Sequence, residues 1–222
     1  MTSRPEVTDD ARYVPAAGRA AFTRLYDPVV ALTMRERHFR SLLQEQVLEA
    51  LPDHGVVVDV GCGTGTFAIA LAASHRDGSV IAVDGDADIL AAAEHKRGAE
   101  PVDWRRGLAD HLPLDAAGAD AVVMSLLLHH LDAAGKRAAL GEARRVLRPG
   151  GRLHIADWGR PADPLMGAGF LALRLLDGFA NTRDHAAGRV PELVRAAGFA
   201  GVERRTRLRT AWGSLELLIA RN

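Results

Sequence analysis

The stretch VVVDVGCGTGTFA, residues 56–68, decides the fold of this chain. A β-branched apolar run contains one acid, Asp59, and is followed by Gly61, Gly63 and Gly65 at alternate positions. An apolar helical pattern begins directly after them. Glycine has no Cβ, so it adopts a positive φ at little cost and lets a ligand approach the main chain. The stretch therefore predicts a buried strand, a tight ligand-contacting turn and the start of a helix.

Length and composition narrow the possible functions. The 222 residues suit one domain, or one domain with a small lid. The 28 basic and 28 acidic side chains give a formal net charge of zero, which argues against nucleic-acid binding and favours a small-molecule partner. We expect a cytoplasmic monomer or homodimer without stable membrane insertion. Cys62 is the single cysteine, the first residues lack an apolar signal core, and no apolar run is long enough to span a bilayer.

Strand-like and helix-like segments alternate along the chain. Residues 22–51 carry a helical apolar pattern that residues 52–55 break. Strands are predicted at 56–60, 79–83, 102–105, 121–125 and 152–156, and helices at 64–74, 87–96, 136–147 and 190–197. Short apolar strands between helices indicate a parallel sheet covered on both faces. The segment RPGG at 148–151 is predicted to end a helix and turn into a strand. The last strands, 201–207 and 210–220, are joined by a short turn and must pair antiparallel.

Three motifs follow successive strands of this predicted sheet. They are DVGCGTG at 59–65, Asp84 with Gly85, and GLADHLPL at 107–114. Open α/β sheets bind ligands at this edge, where Asp84 could accept hydrogen bonds from both hydroxyls of a ribose. The spacing G-x-G-x-G departs from the dinucleotide fingerprint G-x-G-x-x-G. Asp59 would repel a pyrophosphate but suits the ammonium group of an amino acid, so the motifs favour a nucleotide-like cofactor with a cationic part.

On these motifs the chain resembles the class I S-adenosylmethionine-dependent methyltransferases. It is most similar to the small-molecule branch that includes the ubiquinone and menaquinone C-methyltransferases. The resemblance covers about residues 22–222 and is carried by VDVGCGTG, VDGDADIL, ADHLPL, VVMSLLLHHL and RRVLRPGGRLHIAD. It implies an α/β, Rossmann-like, seven-stranded, mostly parallel sheet in the order 3-2-1-4-5-7-6. Strand 7 is antiparallel, and helices cover both faces.

The resemblance also implies S-adenosylmethionine as cofactor and assigns residues to it. These are Tyr26, Asp59, Gly61, Cys62, Gly63, Gly65, Asp84, Gly85, Ala109, Asp110 and Ser125. Asp59 and the glycines would hold the methionine part, Asp84 the ribose, and Ser125 would lie under the sulfonium. Many relatives read Gly-Asp-Ala in the third motif. Here Leu108 takes the place of the aspartate, so Ala109 and Asp110 are the candidates for the adenine.

Candidate acceptor-side residues follow strands four and five. His129 and His130 are candidate bases or substrate-orienting groups, and each could instead cap a turn or pack against a lid. Asp157 could orient the substrate or cap the next segment. No metal site is expected, because adjacent histidines do not grip an ion as an i,i+4 pair does. Trp158 also stands where metal-dependent relatives carry an asparagine.

The domain prediction follows from the resemblance. Residues 1–51 are expected to form an N-terminal tail and a helical cap over the active site, with Phe22 and Tyr26 closing the pocket. Residues 52–222 would bind the cofactor, with an apolar insertion at about 158–185 as lid, core helix or dimer face. Four arginines within residues 204–209 are expected to mark a solvated strand edge.

The expected activity is methyl transfer to carbon or oxygen of a small, fairly apolar acceptor by in-line displacement. Three alternatives stay open at the level of the sequence. They are a phospholipid or small-amine N-methyltransferase, a non-catalytic S-adenosylmethionine-binding module, and a nicotinamide dehydrogenase.

Overall fold

The computed structural model describes residues 35–222. It contains helices α1 (Glu36–Leu48), α2 (Thr66–Ser74), α3 (Ala87–Glu94), α4 (Ala133–Val146), α5 (Pro164–Asp177), α6 (Arg183–Ala187) and α7 (Val190–Ala196). The strands are β1 (Val56–Val60), β2 (Ser79–Asp84), β3 (Val102–Arg106), β4 (Ala119–Ser125), β5 (Leu147–Gly159), β6 (Ala200–Thr210) and β7 (Gly213–Arg221), and a short 3-10 turn spans Leu128–His130. Each strand and helix predicted after residue 52 is present. The ends differ by about three residues or fewer, except at the start of β5, which begins about five residues earlier than predicted.

The strands form one seven-stranded sheet in the order β3-β2-β1-β4-β5-β7-β6. β1 to β5 run parallel, while β7 pairs antiparallel with both β5 and β6. The predicted order and the terminal hairpin are thus confirmed. Val60 at the end of β1 pairs with Val83 of β2 and with Met124 of β4, so these three strands end at the same edge. This edge is where the predicted site should lie.

The apolar core lies on both faces of the sheet, because both faces of the central strands are covered by helices. Along β1, Val57 faces the side of α1 and α2, whereas Val58 and Val60 face the side of α4. All three side chains are almost fully buried. Two-sided burial explains why β1 reads as a continuous apolar run, and why Asp59 within it is buried as well.

Strand β5 is longer than predicted at both ends. Trp158 belongs to it and is only 2% exposed, so the insertion begins after Gly159 rather than at residue 158. At the other end, α4 stops at Val146 without a glycine cap, and residues 148–151 are part of the strand. The side chain of Asn222 supplies the cap by donating from Nδ2 to the carbonyls of Arg144 and Leu147. A contact from 75 residues away is invisible to local turn rules.

The insertion consists of α5 and α6. Phe170 of α5 is buried against the sheet and Trp158. Large apolar side chains also cover the outer side of α5 and the segment after it, namely Leu165, Leu171, Leu175, Leu176 and Phe179. These five are about half to three quarters exposed. Within residues 35–222, no helix is both long enough and apolar enough to cross a membrane.

The basic stretch lies on β6, which is an edge strand of the sheet as predicted. Its arginines are paired with carboxylates. Arg204 and Arg207 face Glu216 of the neighbouring β7, at 3.2 and 3.5 Å. Arg205 pairs with Glu49, and Arg209 pairs with Asp163. The stretch is therefore a neutralised edge rather than a free cationic patch.

Candidate active site

The glycine loop between β1 and α2 forms the first wall of the site. Gly61, Gly63 and Gly65 all have positive φ, at 70°, 53° and 71°. A Cβ on Gly65 would lie 2.3 Å from the Trp104 ring, so this position has no room for a side chain. No described atom lies within 4 Å of the place where a Cβ on Gly63 would sit. The loop thus combines a closely packed base with an open side that faces the crevice.

Asp84 joins the loop to the end of β2. Its Oδ2 accepts a hydrogen bond from the Gly63 N–H at 2.8 Å, and its Oδ1 accepts one from the Asp86 N–H at 3.0 Å. The carbonyl of Val83 accepts from the Gly61 N–H at 2.8 Å. Because a carboxylate has about four acceptor positions, two remain for the hydroxyls of a ligand. Asp84 is therefore fixed by the backbone and still able to bind.

Asp59 is a buried carboxyl group with an unsatisfied oxygen. It is 1% exposed, and within residues 35–222 its Oδ2 has no hydrogen-bond partner. Burial raises the pKa of Asp59 from 3.8 to about 7, against the opposing effect of Arg40 on α1, and the nearby Asp84 raises it further. A buried oxygen without a partner is costly unless a ligand supplies the donor. An ammonium group is the donor that fits an anionic oxygen.

The third motif lies beside Asp84, as predicted. The Gly107 N–H donates to the Asp84 carbonyl at 3.0 Å, and a turn follows that is closed by a bridge between Leu108 and His111. Ala109 and Asp110 stand in this turn and are half-buried. The structure thus brings both adenine candidates to the crevice edge. Tyr26 and Phe22 lie outside the described residues.

The end of β4 links the glycine loop to the two histidines. Ser125 closes the strand, and Leu126 then adopts a left-handed backbone with φ of 54°. This conformation is rare for leucine and concentrates at functional sites. It turns the chain so that Leu127 lies over the loop, where a Cβ on Gly61 would be 2.7 Å from Leu127 Cδ1. The cofactor side and the histidine turn are therefore neighbours.

His129 and Asp157 form a buried pair. Asp157 Oδ1 lies 2.8 Å from His129 Nδ1, and since a carboxylate only accepts, Nδ1 carries the proton. Burial disfavours a charge on His129, but the Asp157 carboxylate outweighs it and raises the pKa of His129. Burial alone would raise the pKa of Asp157, yet His129 and His185 hold it well below its usual range. Leu128 and Trp158 also donate backbone N–H groups to Asp157. The other ring nitrogen of His129, Nε2, faces the Asp177 carboxylate at 3.8 Å.

His130 and Asp177 stand on the other side of His129. The two imidazole centroids are 4.0 Å apart. Asp177, the last residue of α5, is 3.8 Å from His129 Nε2 and 3.7 Å from His130 Nδ1. Burial lowers the pKa of His130 to about 3, and it raises the pKa of Asp177. The 3-10 turn brings both imidazole rings next to the Asp177 carboxylate, a proximity that the spacing of adjacent histidines did not predict.

Polar contacts link the segment after α5 to the histidine turn and its neighbours. Lys136 is fully buried and donates to the Asn181 carbonyl, with Asp184 at 3.6 Å. Burial lowers the pKa of Lys136. The Asn181 side chain donates to the His130 carbonyl at 2.9 Å. His185 of α6 is fully buried with its Nε2 3.6 Å from Asp157. The insertion is thus attached to the histidine turn by polar contacts.

Comparison with known proteins agrees with this geometry. Residues 57–151 match the sequence family described as "Methyltransferase domain". This part of the chain is similar to a methyltransferase domain. The match runs from β1 to the first part of β5, which includes the glycine loop, Asp84 and both histidines. With the sheet order, it confirms the Rossmann-like methyltransferase fold expected from the motifs.

Two curated relatives match half or somewhat more of this chain. Demethylmenaquinone methyltransferase of Lactiplantibacillus plantarum is 38% identical over 135 residues, which are 59% of this chain and 55% of that protein. Ubiquinone/menaquinone biosynthesis C-methyltransferase of Caulobacter vibrioides is 36% identical over 120 residues, 50% of this chain and 47% of that protein. The chain therefore spans about half the length of these curated relatives.

Among solved structures, a Thermotoga maritima S-adenosylmethionine-dependent methyltransferase, described as a possible histamine N-methyltransferase, has a similar fold. Its TM-score is 0.67 at 22% identity, with 90% of this chain and 96% of that chain covered. At this identity the likeness concerns the fold alone.

Sequence reasoning missed four polar residues of the site. Arg40 is close enough to Asp59 to lower its pKa, and Asp177 faces both histidines. Lys136 and His185 complete the buried polar network. The sequence gives little sign of them, since each stands alone within a helical segment. Only the buried position of Lys136 on an otherwise apolar helix face could have drawn attention to it.

Proposed function

We propose that this protein is an S-adenosylmethionine-dependent methyltransferase that acts on carbon or oxygen of a small, fairly apolar acceptor. The observation that carries the proposal is the contact of Leu127 with Gly61, because it makes the cofactor loop and the His129–Asp157 pair two walls of one crevice. The names of the two curated relatives, both quinone-pathway methyltransferases, support an acceptor of quinone-like or phenolic type.

The residues present fit the proposed cofactor. S-Adenosylmethionine carries an activated methyl group on a sulfonium, so the protein's task is to bind and align it. Asp59 would receive the ammonium group of the methionine part, and Arg40 is the cation near enough to attract its carboxylate. Asp84 would bind the ribose hydroxyls with its remaining acceptor positions. We also assign Ala109 and Asp110 to the adenine.

The cofactor assignment includes the small residues of the loop. Cys62 and Gly85 would contact the cofactor mainly through the backbone, and Ser125 would lie beneath the sulfonium. Burial raises the pKa of the Cys62 thiol far above neutrality, so Cys62 is assigned no thiolate chemistry.

On the acceptor side, His129 is the proposed catalytic residue. In the neutral imidazole, Nε2 can accept a hydrogen bond from an acceptor hydroxyl and take up the proton as the methyl group is transferred, and the raised pKa of His129 favours that uptake. Asp157 is a positioning residue, because it holds the proton on Nδ1 and so keeps Nε2 free. His130 would orient the acceptor. Carbanion or enolate acceptors would need only this orientation.

The apolar insertion is the proposed acceptor wall. We assign residues 160–185 to it, because Asn181, between α5 and α6, donates to the His130 carbonyl, and His185 of α6 faces Asp157 at 3.6 Å. We further assign α1 to a cap on the cofactor side, since Arg40 extends from it toward Asp59. The remaining part of the proposed cap, residues 1–34, lies outside the described chain.

The test uses S-adenosylmethionine with an isotopically labelled methyl group and a panel of acceptors. The panel contains quinols, phenols, small amines and phospholipid amines, and products are identified by mass spectrometry. We expect label on carbon or oxygen of a quinol or phenol. Label on amines alone, or cofactor binding without transfer to any member, would overturn the proposal.

The variant Asp84→Ala tests the cofactor site in the same assay. It removes charge-assisted hydrogen bonds and should weaken S-adenosylhomocysteine binding by about 1–3 kcal/mol, measured by calorimetry. Asp53→Asn alters an exposed acid in the loop before β1 and serves as control. Equal affinity of the Asp84→Ala and control variants would remove Asp84 from the ribose role.

A further inference from the structure

Three side chains from two elements meet on the acceptor side of the site. We propose that the chain binds one divalent transition-metal ion, with zinc as the probe, between His129 Nε2, His130 Nδ1 and the carboxylate of Asp177. Binding itself does not depend on methyl transfer, so the inference goes beyond the proposed function.

The distances between the three groups suit a metal better than hydrogen bonds. One ligand atom of each residue lies within 4.8 Å of the others. Asp177 oxygens are 3.8 Å from His129 Nε2 and 3.7 Å from His130 Nδ1, which is too long for a hydrogen bond. Zinc bonds of about 2.0–2.2 Å place tetrahedral ligands about 3.3–3.6 Å apart. The two contacts of Asp177 are close to this spacing, and side-chain shifts of up to about 1 Å would bring all three ligand atoms to it.

The contact of His129 with Asp157 is a second, independent observation. Histidines that bind metals almost always donate their other ring N–H to a carboxylate or carbonyl, which fixes the tautomer. Asp157 receives this N–H at 2.8 Å and is itself held by the backbone N–H of Leu128 and of Trp158. Nε2 of His129 is thus held toward Asp177, where a metal ion would bind in place of a proton.

The local charge also favours a cation. Asp157 and Asp177 place two carboxylates around the imidazoles, and Asp177 ends α5, where the helix dipole is negative. The buried cation of this region, Lys136, is engaged by Asp184 and the Asn181 carbonyl. A bound divalent ion would balance the two carboxylates next to the histidine turn.

Two imidazole nitrogens and one carboxylate oxygen are a ligand set that zinc accepts, and they leave a fourth position open. Zinc would occupy the lone pair through which His129 contacts an acceptor hydroxyl. Zinc should therefore inhibit methyl transfer in competition with the acceptor.

The experiment measures metal binding by the metal-stripped full chain. Zinc is titrated in competition with a chromophoric chelator, and cobalt is titrated by its visible d–d absorption. We expect one ion per chain. His130→Gln and Asp177→Asn should each weaken zinc binding at least ten-fold, and Asp157→Asn should weaken it about 10–100-fold through His129.

Matched controls separate the site from surface binding. His95→Gln removes an exposed imidazole at the end of α3, and Asp53→Asn removes an exposed carboxylate. Neither change should alter zinc affinity. Wild-type affinity no higher than that of the double variant His130→Gln/Asp177→Asn would overturn the proposal.

A melting curve checks that each variant folds. If a variant does not fold, the wild-type cobalt spectrum decides, since absence of the intense bands of low-coordinate cobalt would equally overturn the site. No methyl acceptor enters these measurements. Absence of zinc binding therefore has no bearing on the proposed methyl transfer. Absence of methyl transfer has no bearing on the proposed metal site.

Discussion

At the scale of single residues, Asp59 is a candidate site residue whose burial in charged form lowers the stability of the fold. A carboxyl group in the middle of an apolar strand is costly to bury in its charged form. Its pKa of about 7 means that folding keeps a proton on a group that would lose it in the unfolded chain. Stability from this residue is therefore greatest below pH 4 and declines as the pH rises toward 7.

Cofactor binding should have the opposite pH dependence. The ammonium of S-adenosylhomocysteine needs the carboxylate form of Asp59, which is favoured above pH 7. Arg40, Asp84 and the Cys62 thiol are the charged or titratable groups around it. The affinity for S-adenosylhomocysteine should fall about five-fold from pH 7 to pH 6, measured by calorimetry.

Asp59→Asn isolates this effect. The variant should bind S-adenosylhomocysteine more weakly at pH 8, and its affinity should no longer change between pH 6 and pH 8. Its free energy of unfolding at pH 8 should be higher than that of the wild type by about 2–4 kcal/mol. A pH dependence that persists in the variant would assign the titration to another group.

At the scale of elements, α1 is joined to the sheet by a buried polar contact. Gln46 Nε2 donates to His154 Nδ1 on β5 at 3.0 Å and to the Leu218 carbonyl on β7 at 3.1 Å. Burial lowers the pKa of His154 to about 3, helped by the charge of Arg152. The neutral ring can accept from Gln46 only while it stays unprotonated, so this contact fixes the tautomer.

Acid should therefore weaken the domain through His154. The unfolded chain takes up a proton at this residue near pH 6.5, whereas the folded chain does not until about pH 3. At pH 5.5 the cost should be about 1.4 kcal/mol relative to pH 7.5. Urea unfolding at both pH values should show this difference reduced in His154→Gln and retained in His95→Gln.

Parts of these elements could be predicted and parts could not. The strand β1, the loop with Gly61 and the terminal hairpin follow from local patterns, because apolar runs, glycine spacing and turn length are read along the chain. The length of β5 and the cap by Asn222 depend on contacts between distant segments. Local rules contain no information on such contacts.

Some residues of the candidate site could likewise be predicted from the sequence, and others could not. Asp59, Asp84 and the histidines stand at strand ends, where the fold itself indicates function. Asp177 and Arg40 face the site only because α5 and α1 pack at particular angles. The convergence of His129 and His130 required the 3-10 turn, which no residue spacing predicted.

At the scale of the whole molecule, α5 packs against the sheet through Phe170. Phe170 is 2% exposed and its ring lies 6.4 Å from that of Trp158. Phe170→Ala should lower the free energy of unfolding by about 3–5 kcal/mol, a large part of what a domain possesses. Far-ultraviolet circular dichroism and tryptophan fluorescence should report one transition in urea.

Leu171→Ala in the same helix is the matched control. Leu171 is 48% exposed, so its loss should cost less than about 1 kcal/mol. Equal effects of both variants, or two separate transitions in the wild type, would show that α5 unfolds independently of the sheet.

The contact between Leu127 and Gly61 has a consequence for evolution and engineering. Leu127 packs beside Gly61, so we expect a substitution that changes the size of the Leu127 side chain to disturb the glycine loop as well. Altered substrate range through Leu127 would come with weaker nucleoside retention. New selectivity is better sought at positions that border only the acceptor half.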